Sequence, residues 1–513
     1  MGLSLLQRNW LLGATAVASG CGLAAELLLG TLASYLVGNQ ALAYGVAVGG
    51  FLAAMGIGAY LSRFIATQGD RQNQQEQLLS AFALIELLIA PLTAFLPLGL
   101  FALFVVDSSL WLGLFLVTLI LGTLAGLEIP LLTRAIELDK GVRDALAGVL
   151  ALDYLGALLG SLAFPVLLLP LFGLFPAAAL IGALPALMVF ALGRVFPEIR
   201  QWGNFGLAIG LLLCLFAPAA TPLSNRLENS LYDAPIVMRM QSPYQRIVLT
   251  RSSSDFRLFL NGDLQFSSLD EYRYHEALVH PAMSASPSPR RVLLLGAGDG
   301  LALREVLKWP DVERVLLIDL DKSVVNIAKS NPFLTRINGD AFADPRVEVK
   351  FADAFLAAPS LTETFDVIIA DFPDPDVEVL AKLYSQGFYQ RMMPRLTPNG
   401  IFITQASSPF FAPRAFACIA ETLQAANFAV QPYTVNVPSF GPWGFVLAWR
   451  QSQPTPPNFS QLELPVTTRF LTDATLANLF DLPKDIQVDG VEINRLSDPA
   501  IVRYQGDRRW DLY

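Results

Sequence analysis

The stretch VLLLGAGDGLALREVLKWPDVERVLLIDLD, Val292 to Asp321, decides the fold of the second half of the chain. An aliphatic run enters Gly-Ala-Gly-Asp-Gly at 296–300, an amphipathic segment follows, and a second aliphatic run ends on Asp319 and Asp321. This is a strand, a glycine turn, a helix and a second strand tipped with an acid, the arrangement that holds an adenosine-type ligand. Asp319 follows Gly296 by 23 residues, close to the spacing at which a carboxylate accepts hydrogen bonds from both ribose hydroxyls. The unit predicts a Rossmann-like domain with Gly296, Gly298 and Asp319 at the nucleoside. Taken alone it leaves a dehydrogenase, a methyltransferase and a binding module open.

Working outward, the pattern continues. VEVKFADA (Val347–Ala354), DVIIADFPDP (Asp366–Pro375), GIFITQA (Gly400–Ala406) and GFVLAW (Gly444–Trp449) read as further strands, with helices between the earlier ones. Such alternation predicts a doubly wound, mainly parallel α/β sheet, with its ligands at the carboxyl ends of the strands. Asp299, Asp319, Asp353 and Asp371 all fall in strand-end turns. Four acids around one crevice suit a cationic substrate. Upstream, Met238–Ser268 alternates apolar and polar residues, with turn signals at Ser252–Asp255 and Asn261-Gly262. It predicts a small antiparallel β-unit with hairpins. DEYRYHEALVHPAM (Asp270–Met283) predicts a helix carrying both histidines, His275 and His280.

The first half is different in kind. Hydrophobic residues make up 53% of the 513 in the chain and mean hydropathy is +0.48, an excess concentrated before about Thr221. Length alone suggests at least two domains. Runs long enough to cross a bilayer occur near Trp10–Val37, Ala41–Leu61, Leu78–Val106, Leu110–Leu132, Ala145–Leu171, Phe175–Leu192 and Phe205–Pro218. A cleaved signal peptide accounts only for the first run, which is too long and has too many successors. The last run is short and reads as either a span or an interfacial segment, so the helical domain has seven spans, or six. The expected organisation is a transmembrane domain at 1–220, a polar linker at 221–233, a β-domain with its helix at 234–284, a Rossmann-like core at 285–450 and an extension at 451–513.

The net charge of −9 and the lack of long basic tracts argue against nucleic acid as a partner. Cys21, Cys214 and Cys418 lie far apart and indicate no disulfide framework and no zinc site. With seven spans, Arg8, Arg63, Arg71, Arg134, Lys140, Arg143, Arg194 and Arg200 share one side, which the positive-inside rule makes cytoplasmic. That places the chain after Pro218 outside, where an adenosyl donor is scarce; six crossings return it to the cytoplasm. Supply of substrate favours a multi-pass cell-membrane protein with its catalytic part in the cytoplasm. Acids at Glu26, Glu86, Glu128 and Asp153 lie within spans and no base sits mid-helix. They read either as hydrogen-bonded structural glue or as a cation or proton path. Gly45-x-x-x-Gly49 and Gly156-x-x-x-Gly160 read as marks of close helix packing.

GAGDGLALRE, LIDLD, ADA and the D-x-x-D-P after VIIAD resemble the spermidine synthases, the polyamine aminopropyltransferases. SPYQ, LFLNGDLQF and EYRYHEALVHPA match that family's small β-domain and first helix, so the resemblance runs in order from about Ser242 to Trp449. The helical leader, and the tail FLTDATLANLF…VEINRLSDPAIVRYQGDRRW, look like its membrane-fused branch. The resemblance implies transfer of the aminopropyl group of decarboxylated S-adenosylmethionine, as co-substrate, to an amine such as putrescine. The products are spermidine and methylthioadenosine, with no metal or other cofactor required. It also implies a homo-oligomer, since soluble relatives are commonly dimers or tetramers.

Carried over residue by residue, the resemblance makes Asp371 the proton acceptor and Asp374 the anchor of the acceptor amine. It puts Asp299 on the donor's aminopropyl ammonium, Asp319 on the ribose, Asp353 with Ala354 beside adenine, and Gln245 against the nucleoside. Tyr274 and His275 line the amine channel. Residue chemistry alone offers Asp299 as a helix cap, Asp371 and Asp374 as turn residues around Pro373 and Pro375, His275 as a core histidine and Tyr244 as a packing residue. Two departures bear on the acceptor. The family's D-S-S-D-P-x-G-P-A is here DFPDPDVEV, with Val377 and Glu378 at the glycine and proline, and a channel tyrosine is replaced by Phe440. A methyltransferase is the rival enzyme, disfavoured because Asp299 repels the carboxylate that a methyl donor retains. A polyamine transporter or sensor, in which the soluble part only binds, is the rival from another class.

Overall fold

A computed structural model describes residues 3–37, 40–67, 70–105, 110–140, 142–453 and 456–506. Val106, the end of one expected span, and 507–510 of the tail motif lie outside the described residues. The chain divides into two units, Met1–Asp233 and Ala234–Tyr513.

Among the described residues of the first unit, seven helices are long and apolar enough to cross a membrane by length and composition. The last of them corrects the sequence reading. Arg200–Asn229 is one helix of 30 residues, roughly 45 Å at 1.5 Å per residue, so it is neither short nor followed by a linker at Thr221. Hydropathy falls at Pro218, but the polar residues beyond it are compatible with helix and extend it by three turns. Val142–Ala163 continues through a π-helical stretch at Phe164–Leu168, around Pro165, into Leu169–Phe172. Gly156 and Gly160 mark close packing as expected. A Cβ on Gly156 would stand 2.1 Å from the carbonyl oxygen of Ala16, and one on Gly160 would stand 2.0 Å from that of Gly20. The neighbouring Ser19 hydroxyl donates to the Asp153 carbonyl at 2.8 Å. Gly45 and Gly49 do not: among the described residues, a Cβ on either meets nothing within 4 Å.

The second unit begins with a four-stranded antiparallel sheet in the order β1-β2-β3-β4, formed by Ile236–Gln241, Arg246–Arg251, Phe256–Leu260 and Asp263–Ser267. Asn261 and Gly262 both have positive φ, the backbone that a two-residue hairpin with right-handed twist requires. The helix Glu271–Ala285 leads into a seven-stranded sheet in the order β10-β11-β9-β8-β5-β6-β7. Its strands are β5 Arg291–Gly296, β6 Arg314–Asp319, β7 Val347–Phe351, β8 Phe365–Asp371, β9 Leu396–Gln405, β10 Phe428–Val437 and β11 Gly441–Arg450. β5 to β9 are parallel, while β11 and β10 close the edge antiparallel. β10 was not among the expected strands; it carries Pro432 and lies at the edge of the sheet, where a missing N–H is tolerated. Leu293, Leu295, Leu316, Ile318 and Ile368 are wholly or almost wholly buried within this sheet, each worth about 1.5–3 kcal/mol of transfer from water.

Register does the positioning. Gly296 pairs with Asp371 across β5 and β8, and Asp319 pairs with Phe351 across β6 and β7. The carboxyl ends of the central strands are therefore level, and the glycine turn and the D-x-x-D-P loop emerge side by side.

Candidate active site

The turn after β5 needs its glycines for two separate reasons. Gly296 has φ +78°, and a Cβ there would lie 2.1 Å from the Asp371 carbonyl oxygen; a Cβ on Gly298 would lie 2.5 Å from Asp319 Oδ2. The backbone thus passes against both acids with no room for a side chain. Asp299 accepts from the N–H of Leu301, the first residue of the helix Leu301–Leu307, at 2.9 Å, while Gly300 at φ +82° is the N-cap. Asp319 accepts from the Asp321 N–H at 2.7 Å.

Asp371 at the tip of β8 accepts a hydrogen bond from the Tyr274 hydroxyl at 2.7 Å. Asp374, three residues on, accepts from Ser407 Oγ at 2.8 Å and from Gln405 Nε2 at 3.2 Å. Each acid keeps some exposed surface at the crevice, while the protein withdraws most of its carboxyl from water. That withdrawal pushes Asp371 up to about 6; the Asp299 charge adds to it, and His275 and the Tyr274 hydroxyl oppose it. Burial likewise holds Asp374 at about 6 against the Ser407 and Gln405 hydrogen bonds, and Asp319 at about 6. Asp299 is raised as well, first by burial. A cationic group held against these acids would reverse those shifts.

His275 and Tyr274 share the helix Glu271–Ala285. His275 Nδ1 lies 3.0 Å from Glu271 Oε2 and 2.7 Å from the Glu271 carbonyl oxygen, two acceptors that assign the proton to Nδ1. Burial alone would lower this histidine, but the Glu271 hydrogen bond and the Asp299 charge outweigh it and raise the group. Arg304 grips both oxygens of Glu271 at 2.9 Å, a two-point clamp joining this helix to the one that follows the glycine turn. The Tyr274 ring sits against Phe440, Trp443 and Phe445, with centroids 5.2–6.3 Å away. Asp270 fixes the Phe440 loop, accepting from Ser439 N at 2.6 Å and Ser439 Oγ at 2.9 Å. Phe440 thus stands beside the tyrosine that holds Asp371.

The other expected site residues lie along the same edge with partners of their own. Gln245 donates to Asp321 Oδ2 at 3.0 Å rather than to Asp319. Asp353 caps Phe355 N–H at 2.9 Å and pairs with Lys382 at 2.7 Å, and Ala354 beside it is buried. Tyr244 is more than half exposed and packs no core. Sequence reasoning missed Gln405, Ser407, Glu271, Arg304 and Lys382. Gln405 was within reach, because it ends a strand that neighbours β8; the others depend on which helices and loops meet.

Residues 271–460 match the family model described as the spermine/spermidine synthase domain. A polyamine aminopropyltransferase of Ralstonia nicotianae is 41% identical over 95% of this chain and 96% of its own length. Another, from Leptospira interrogans, is 38% identical over 96% of this chain and 97% of its own. One solved spermidine synthase, crystallised with the transition-state analogue AdoDATO, is 26% identical over 49% of this chain and 86% of that one, with a TM-score of 0.46. The two curated relatives match through the helical unit as well as the sheet. On whole-length likeness at this identity, the chain belongs to the spermine/spermidine synthase family, the polyamine aminopropyltransferases.

Proposed function

We propose that the second unit transfers the aminopropyl group of decarboxylated S-adenosylmethionine to a diamine such as putrescine, giving spermidine and methylthioadenosine. The observation that carries this reading is the pair Asp371 and Asp374 at the tip of β8, beside Asp299 in the glycine turn. The amine nitrogen attacks the carbon next to the sulfonium as the carbon–sulfur bond breaks, and its electrons pass to sulfur, leaving a neutral thioether. Sulfur is the activated leaving group, so the protein supplies alignment and a home for one proton. An alkylammonium, with a lysine-like pKa of about 10.4, is mostly charged at neutral pH. Asp371 takes its proton; Asp374 holds the remote ammonium of the acceptor; Asp299 holds the ammonium of the donor. Asp319 and Gln245 take the ribose side and Asp353 with Ala354 the adenine side, while Tyr274 and His275 line the amine channel. Mass spectrometry of the products from the donor and a panel of amines tests this. Methylthioadenosine with an aminopropylated amine is expected, and S-adenosylhomocysteine released from S-adenosylmethionine would make the chain a methyltransferase.

The helical unit is assigned to a bilayer on its apolar helices, and the catalytic unit to the cytoplasmic side on the supply of its donor, which requires six of the seven helices to cross. Protection of the second unit from external protease in intact cells is the expected result. One observation favours a second role. Glu26, Glu86 and Glu128 are buried among these helices, and Glu86 Oε1 has no hydrogen-bond partner. A cationic amine or a proton is the occupant such a group calls for. Vesicles bearing the protein should lose polyamine uptake on Glu86→Gln; unchanged uptake in a variant with all four intramembrane acids neutralised removes the transport role.

A further inference from the structure

The C-terminal extension reaches back into the acceptor side of the crevice. Gln505, 5% exposed on the helix Ala500–Gly506, donates from Nε2 to Ser407 Oγ. Ser407 is completely buried and has φ +57°, a backbone that a non-glycine residue adopts only under constraint. Three contacts hold it there: its N–H donates to Gln405 Oε1 at 2.8 Å, its carbonyl accepts from Gly444 N at 2.8 Å, and its hydroxyl donates to Asp374 Oδ1 at 2.8 Å. A serine hydroxyl has one proton to give. Because the Gln505 amide can only donate from Nε2, it occupies a lone pair of Ser407 and leaves that proton for Asp374. The direction of the chain, amide to hydroxyl to carboxylate, is fixed by its outer member.

The extension is tied down near both walls of the crevice. Ala500, Ile501 and Tyr504 join the core beneath β9, and Asn494 accepts from Gln386 N at 2.9 Å and donates to the Ala381 carbonyl at 2.9 Å. Further back, Glu276 accepts the N–H groups of Arg469, Phe470 and Leu471 at 2.6–2.9 Å. Glu276 directly follows His275 on the helix of the amine channel.

We propose that Gln505 is a positioning residue for the acceptor amine, acting through Ser407 to orient the Asp374 carboxylate, so that the extension forms part of the acceptor site. This rests on Asp374 being the amine anchor. The test uses full-length protein in detergent. Gln505→Met keeps the volume and removes the donor; Gln505→Glu keeps the shape and offers an acceptor that competes with Asp374 for the Ser407 proton. With turnover read on both substrates, Gln505→Met should raise the amine KM roughly 3–10-fold, the range for loss of one buried hydrogen bond. The donor KM and kcat should stay within about twofold. Gln505→Glu should raise the amine KM further and move the acidic limb of the amine kcat/KM profile to higher pH. Calorimetric titration with the amine, in the presence of methylthioadenosine, reads the same effect without turnover. The inference is overturned if both variants bind amine as the parent does, or if donor and amine KM move together. A parent protein that binds amine but transfers nothing would overturn the proposed reaction while leaving this one standing.

Discussion

Tyr274 donates its hydroxyl proton to Asp371 Oδ1 at 2.7 Å, from a ring enclosed by Phe440, Trp443 and Phe445. One residue comes from a helix before the sheet and the other from the tip of a central strand, so the bond exists only once the two are packed. It favours the carboxylate form of Asp371, but burial outweighs it and the group stands at about 6. Asp371→Asn should lower kcat by about 10²–10⁴, the usual worth of a positioned general base, with donor binding retained. Tyr274→Phe should cost far less at pH 8, but its acidic limb in kcat/KM should lie above the parent's limb near pH 6. A stopped assay of methylthioadenosine release across pH 5–9 reads both.

The same raised acids make the ligand-free crevice a cost to stability. An acid whose folded pKa exceeds its unfolded value binds its proton more tightly when folded. Its stabilising contribution is complete below the unfolded value near 3.8 and is lost as pH rises through about 6. Asp371→Asn should therefore be more stable than the parent at pH 8, by roughly 1–3 kcal/mol, and the difference should vanish near pH 4. Urea titrations of the ligand-free proteins at the two pH values measure this; equal midpoints at pH 8 would contradict it.

Gly296 and Gly298 should fail differently. Gly298→Ala forces Asp319 aside, because the new Cβ would stand 2.5 Å from its Oδ2; the donor KM should rise tenfold or more while the amine KM stays near its parent value. Gly296→Ala meets backbone at 2.1 Å with φ +78°, and neither can give way cheaply. Its loss should appear as a fall in melting temperature, at about 2 kcal/mol or more.

Within the helical unit, Gly160→Leu should abolish the seat of Gly20 and lower the melting temperature in detergent by many degrees. Gly49→Leu, which meets open space, should leave it within a few degrees. The two motifs look alike in sequence, so unequal outcomes distinguish packing from pattern.

Much of the fold was legible because it is written locally. Aliphatic runs, glycine turns and Asn261-Gly262 act through the next few residues, and they marked β5 to β9, β11 and the small sheet. β10 was missed because Pro432 has no local signature separating an edge strand from none. The helix Arg200–Asn229 was underread because hydropathy reports the apolar length of a helix, not its polar continuation. Gly45 and Gly49 were overread, since spacing states that two residues share a face but not that another helix covers it.

By itself the sequence determined that a Rossmann-like unit follows an apolar helical half. It also determined that Asp299, Asp319, Asp353 and Asp371 lie in strand-end turns, because strand period and turn chemistry are properties of neighbouring residues. Only the tertiary structure decided what holds them. Tyr274 reaches Asp371 across 97 residues, Arg304 clamps Glu271 across 33, and Gln505 reaches Ser407 across 98. Such contacts depend on strand order, register and helix docking, and no local pattern encodes a partner that far along the chain.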